Sequence, residues 1–206
     1  MPKAASAVLV QTFYEDNLDI AFIQEPYIYG NQITGLPEFT NKDQIAVKVN
    51  LSLGENTQEL NICSAYLPGN SRDYESLPLQ GLVDYCGRQK LQLIVGCDAN
   101  AHNTIWGSSN INQRGEYLLE FISLNRLEIL NVGNCPTFRN SIREEVLDLT
   151  LSSPFITNFV NKWKVAREIS LSDHMHIRFE IEITLPTATT YRRPRTTDWN
   201  LYDALP

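Results

Sequence analysis

The chain has no apolar run close to the roughly 20 residues that a membrane-spanning helix requires. Met1-Pro2-Lys3 leads into a short mixed segment that lacks a signal-peptide core. Cys63, Cys86, Cys97 and Cys135 are scattered, with no CxxC pair, which counts against a zinc ribbon. Their strand-like surroundings point to buried free thiols in a reducing compartment. No internal repeat is present. Positive charge is also scarce: 17 Lys and Arg stand against 24 Asp and Glu, giving a net charge of −7 and a pI near 5.0. That balance argues against a protein that coats nucleic acid in general. It leaves room for a nuclease, because a site for a divalent cation needs carboxylates and the bound ion then carries the positive charge.

With 206 residues and 43 % hydrophobic content, the chain suits one large domain with a core that needs no covalent staples. The spacing of Ala5, Val8, Leu9, Thr12 and Phe13 predicts a helix from Ala4 to Asn17. Asp19 to Glu25 is a short apolar run closed by Pro26, as in a strand buried on both faces. Ile45, Val47 and Val49 alternate, as do Leu60, Ile62, Ser64 and Tyr66. Leu79, Leu82, Val83 and Cys86 mark a second helix, and Leu118, Phe121, Ile122 and Asn125 a third. Further strands are predicted over Leu91–Val95, Leu127–Val132 and Val146–Leu151, with a polar hairpin from Pro136 to Glu145. Ile177, Phe179, Ile181 and Ile183 alternate with charged residues in a half-buried strand. Mixed elements of this kind predict an α/β sandwich with sheets inside and helices outside.

Several strands end in a reactive side chain. Glu25 closes the first, Tyr66 another and Asp98 the strand after the second helix; Asp173-His174 precedes the last. Asp148 is the most informative, since a carboxylate inside an apolar strand is costly to bury without a partner. His174 is the natural partner, because an Asp–His pair fixes one tautomer and the ring's orientation. Plainer readings stand beside these. Glu25 reads equally as a surface strand terminus, and Tyr66 as a core or rim residue. His174-Met175-His176 has the form of a zinc HxH, without an obvious third ligand. His102 would brace its loop, Trp106 would pack, and Arg114-Gly115-Glu116 would open a helix.

Taken in order, "IQEP" (Ile23–Pro26), "SAYLPGN" (Ser64–Asn70), "GCDANAHNTIWGS" (Gly96–Ser108), "PTF" (Pro136–Phe138), "VLDLTLSS" (Val146–Ser153) and "LSDHMHI" (Leu171–Ile177) resemble the endonuclease/exonuclease/phosphatase family. The likeness is greatest to the apurinic-type endonuclease domains of non-LTR retrotransposons, and it covers roughly Lys3 to Glu182. It implies a four-layer α/β sandwich of two packed mixed sheets flanked by helices, hydrolysing phosphoester bonds with Mg²⁺, or with Mn²⁺ in its place. It further implies roles. Glu25 would be the main metal ligand, with Asp173 assisting. Asp98 would be the acid/base group, Asn100 would hold the phosphate or nucleophile in line, and Tyr66 would donate to a phosphate oxygen. Asp148 would orient His174 on the phosphate. His102 would lie near the DNA. Arg139 and Arg143 in the hairpin would meet phosphate or base, or remain solvated charges.

The expected organisation is a catalytic domain over 1–185 and a basic Pro/Thr/Arg-rich linker or tail over 186–206. The expected partners are a target-site DNA duplex and, in a full-length element, a reverse transcriptase domain; no membrane partner is expected. Intracellular residence with nuclear action follows, although no targeting signal is identified. Two departures from the family are also expected. Its first strand, which carries an Asn of the metal site, is missing, and about two strands are skipped between Tyr27 and Phe39. These departures support a rival reading, a catalytically impaired relic or a non-catalytic DNA-binding module. Another phosphoesterase of the same fold is a further alternative.

Overall fold

The computed structural model describes residues 3–23, 35–53, 56–69 and 79–182. Glu25, the residues of the skipped segment as far as 34, and the 186–206 tail lie outside them. Strands β1 (Gln44–Leu53) and β2 (Asn56–Tyr66) pair antiparallel, with Gln44 opposite Ala65 and Leu53 opposite Asn56. β3 (Gln92–Asp98) runs parallel to β2. Parallel neighbours need a crossover, and helix α2 (Leu79–Gln89) supplies it. β7 (Asp148–Ser152) adds antiparallel to β3, and the short β4 (Glu128–Ile129) completes a five-stranded sheet in the order β1-β2-β3-β7-β4. β5 (Phe138–Arg139) with β6 (Glu144–Glu145), and β8 (Val160–Val165) with β9 (Ile177–Ile181), form two small antiparallel ladders. The remaining helices are α1 (Lys3–Glu15), α3 (Gln113–Leu124) and the single turn α4 (Pro154–Thr157).

The main sheet is covered on both faces, which is why its strands read as apolar runs. On one face Cys63, Leu93, Val95 and Leu149 meet Leu79, Leu82, Val83 and Cys86 of α2 and Leu118, Phe121 and Ile122 of α3. On the other, Leu60, Ile62 and Ile94 meet Ile156 of α4 and Val160, Phe179 and Ile181 of the β8–β9 ladder. Asp16, just past α1, pairs with Arg178 of β9 at 2.7 Å. The predicted α/β sandwich is therefore present; among the described residues its second sheet consists of β8 and β9. No described helix is long and apolar enough to cross a membrane.

Some elements differ from the sequence expectation. Residues 19–23 belong to no sheet. This run is held by side-chain packing: Phe22 lies against Gly96, whose hydrogen leaves room for the ring, and 6.0 Å from Phe179. An apolar run alone does not distinguish such packing from a ladder. The Leu127–Val132 strand is reduced to two residues because the Asn131 side chain takes over the backbone bonds to β7. Its Oδ1 accepts from the Thr150 amide at 2.9 Å, and its Nδ2 donates to the Asp148 carbonyl at 2.9 Å. Strand β8 was not anticipated, since a register shift between Asn161 and Lys164, with Lys162 at φ 54°, breaks its alternation. Cys63, Cys86 and Cys97 are buried free thiols, but Cys135 is exposed. Burial pushes Cys63 up to about 12 and Cys86 up to about 11.

Leu82 is fully enclosed between α2 and the main sheet. Leu82→Ala should cost roughly 2–5 kcal/mol through lost transfer energy and the cavity left behind. Urea unfolding should show a lowered midpoint with the slope unchanged.

Candidate active site

Register alone brings three predicted residues into one line. Tyr66 at the end of β2 pairs with Asp98 at the end of β3, and Asp98 pairs with Asp148 at the start of β7. Side chains alternate between faces along a strand, and these three share the face carried by Leu60, Ile62 and Ile94. Asp98 and Asp148 are only 7 % and 6 % exposed. Two carboxylates directly opposite each other on adjacent strands repel. His174 stands between them. Its Nδ1 lies 2.9 and 3.0 Å from the Asp148 oxygens, and its Nε2 lies 3.8 Å from Asp98 Oδ2. Burial pushes the His174 ring toward neutrality. The Asp148 hydrogen bond and charge, with Asp98 and Asp173 behind them, outweigh that and raise its pKa above the ordinary value.

The segment around "PTF" explains how this pair is held. Thr137 is fully buried, and its Oγ1 accepts from the amides of Leu147 at 3.0 Å and Asp148 at 2.9 Å. Its carbonyl accepts from Met175 N at 2.7 Å, while Phe138 forms a backbone bridge to His174 and stacks edge-on at 5.0 Å. Thr137 and Phe138 thus align β7 with the loop that carries the imidazole. The motif's order in the sequence drew attention to this segment, but the role of the threonine hydroxyl could be seen only in the fold.

Asn100 lies two residues beyond Asp98, at φ 46°, a left-handed conformation that Asn tolerates. Its amide donates to Asp98 Oδ1 at 3.2 Å and its Nδ2 to the Leu67 carbonyl at 3.3 Å. This bends the chain so that Ala99 and Ala101 enter the core while Asp98 and Asn100 stay at the sheet's end. His102 is braced: its Nδ1 lies 3.0 Å from Asn110 Oδ1 and 3.5 Å from Glu145 Oε2. Glu145, which the sequence reading did not select, is buried. Burial pushes its pKa up, but bonds from Ser109 and Val146 and the neighbouring His102 hold it below the usual value. Trp106 is buried, as its packing role requires.

The remaining predicted residues lie outside the row. Asp173 is exposed, and its carbonyl accepts from Arg139 N at 2.7 Å. Arg139 pairs with Glu144 at 2.8 Å, and the Arg143 guanidinium sits 5.3 Å from the Phe138 ring centre. Both arginines belong to the β5–β6 hairpin, which the Phe138 bridge fixes beside His174. Among the described residues, no group of three or more His, Cys, Asp or Glu is arranged to hold a metal, so the HxH of His174 and His176 forms no zinc site there. The buried carboxylates of Asp98 and Asp148 are oxygen donors of the kind that a hard cation such as Mg²⁺ takes, while Glu25, the expected main ligand, lies outside the described residues. Behind the row, a cavity of about 390 Å³ extends beneath β9, lined by Asp98, Asp148, His174, His176, Phe22 and Phe179.

Residues 60–178 match the family model described as endonuclease-reverse transcriptase. Among solved structures, the fold resembles the endonuclease domain of TRAS1, a telomere-specific non-LTR retrotransposon. The two are 25 % identical with a TM-score of 0.72, over 88 % of this chain and 94 % of that one. The Xenopus laevis APE2 catalytic domain is 13 % identical, with a TM-score of 0.54 over 74 % of this chain and 63 % of that one. An AP endonuclease from Archaeoglobus fulgidus is 12 % identical, with a TM-score of 0.52 over 85 % and 93 %. The latter two share the fold. No curated protein sequence matches.

Asp148→Asn should remove the contact that most favours the charged ring, so His174 should titrate at lower pH than in the parent, as read by NMR. Because the folded pKa of His174 is raised, its stabilising contribution is fully present below the unfolded value of about 6.5 and is lost as pH rises through the folded value. The stability difference between the parent and His174→Gln should therefore shrink as urea midpoints are followed from about pH 5 to 9. Thr137→Val leaves two buried amides without an acceptor. It should destabilise by roughly 1–3 kcal/mol per orphaned group, measured by thermal unfolding.

Proposed function

The chain belongs to the endonuclease-reverse transcriptase family, and we propose that it is a metal-dependent endonuclease domain that nicks duplex DNA at the insertion site of a non-LTR retrotransposon. The observation that carries this reading is the row Tyr66–Asp98–Asp148 with His174 set between the two carboxylates. Phosphodiester cleavage is largely a matter of positioning and charge stabilisation. Asp148 holds the ring through Nδ1, which leaves Nε2 directed toward Asp98 and the substrate side. With its pKa raised, the ring is available as a cation to a phosphate oxygen. Asp98 manages the proton of the attacking water or of the leaving oxygen. Asn100, set by its own backbone bend, holds the phosphate in line, and the Tyr66 hydroxyl donates to a phosphate oxygen. Glu25, with Asp173 assisting, would hold Mg²⁺ or Mn²⁺, whose chemistry is Lewis-acid stabilisation of the phosphoryl charge.

The partners in this reading are a target-site duplex and a reverse transcriptase domain of the same element, acting in the nucleus. Arg139 and Arg143 on the hairpin, and His102 on the loop after β3, would flank the bound backbone. One observation favours a second reading, in which the chain folds but cleaves poorly. The run leading toward Glu25 is outside every sheet through Ile23, so it lacks ladder support among the described residues.

Relaxation of supercoiled plasmid separates the two. In the first reading the chain nicks with Mg²⁺, EDTA stops it, and Asp98→Ala and His174→Ala each lower the rate by about 10²-fold or more. Nicking that survives both EDTA and His174→Ala would refute the assignment. Metal binding with no nicking would establish the second reading.

A further inference from the structure

The first turn of α3 holds an arginine where a cation is disfavoured, since the amino end of a helix carries partial positive charge. Arg114 is nonetheless 9 % exposed and directed inward. Its Nε donates to the Ala99 carbonyl at 3.2 Å and its terminal nitrogen to the Leu67 carbonyl at 3.0 Å. These carbonyls belong to different chain segments. Leu67 follows Tyr66 at the exit of β2, and Ala99 lies between Asp98 and Asn100 at the exit of β3. The Leu67 carbonyl also receives Asn100 Nδ2. The turn is locked to the same loop on its other side. Asn112 Oδ1 accepts from His102 N at 3.1 Å and Gly115 N at 2.7 Å, and a Cβ on Gly115 would collide with the His102 carbonyl.

We propose that Arg114 is a positioning residue for phosphodiester cleavage: the β2–β3 ladder already sets Tyr66 opposite Asp98, and the planar guanidinium, clamping the carbonyls of Leu67 and Ala99, holds the Asn100 turn beyond the ladder's end against the exit of β2. The inference rests on the nuclease reading. The fork shape is what matters, because an ammonium group is a point charge and cannot span both carbonyls in the same way.

The test measures plasmid nicking with Mg²⁺ by the parent, Arg114→Lys and Arg114→Ala. A misplacement of about 1 Å costs on the order of 10²-fold. Arg114→Lys should therefore lose kcat by that order while KM for DNA stays within about threefold and the near-UV spectrum remains native. Added methylguanidinium should restore Arg114→Ala at least tenfold. Parental kcat in Arg114→Lys, or folded Arg114→Ala that methylguanidinium does not restore, overturns the proposal. If Arg114→Ala does not fold, Arg114→Lys decides alone; if that variant also unfolds, Arg114 is a folding requirement and the proposal fails. A parent chain that does not nick defeats the nuclease reading instead. The clamp is then read from the Asn100 side-chain amide signals by NMR. They shift in Arg114→Lys if the clamp sets Asn100, and unchanged signals overturn it.

Discussion

Asp98 and Asp148 face each other on adjacent strands, both buried, and would repel if nothing stood between them. The imidazole of His174 does, with one ring nitrogen toward each carboxylate. Much of the surrounding structure serves to keep that ring in place. Its loop is tied to the β5–β6 hairpin through Phe138, the hairpin is tied to β7 through Thr137, and β7 carries Asp148. Strand, hairpin and loop form a closed circuit of hydrogen bonds, so the position of the imidazole depends on backbone pairing as well as on the side chain itself.

The end of the sheet where this occurs is also where the polypeptide leaves its strands. Exit loops tolerate displacement more readily than ladders do. Here they are restrained by a second group of polar contacts. Asn100 bends back on Asp98 and reaches Leu67, Asn112 caps α3 while holding His102, and Arg114 joins the two loops from beneath. Helix α3 therefore does two jobs. Leu118, Phe121 and Ile122 bury one stripe in the core, and its first turn serves as a platform for the loop that carries Asp98 and Asn100.

The sequence by itself determined the alternation of sheet strands, the apolar stripes of α2 and α3, and the identity of the polar residues ending β2 and β3 and opening β7. Those patterns are local, with periods of two or about 3.6 residues, and survive reading without coordinates. Family likeness added the order of the motifs. Tertiary structure decided the rest. The placement of Tyr66, Asp98 and Asp148 in one row follows from strand register across three segments far apart in the chain. The predicted Leu127–Val132 strand is cut down to the two residues of β4 because Asn131 replaces ladder bonds with its side chain, and β8 escaped notice because a bulge at Lys162 breaks alternation. The role of Thr137 and the inward turn of Arg114 were likewise invisible, since a buried hydroxyl or guanidinium is defined by the carbonyls and amides it meets. The residue types came from the sequence; which of them touch was settled by packing and register, which no local pattern encodes.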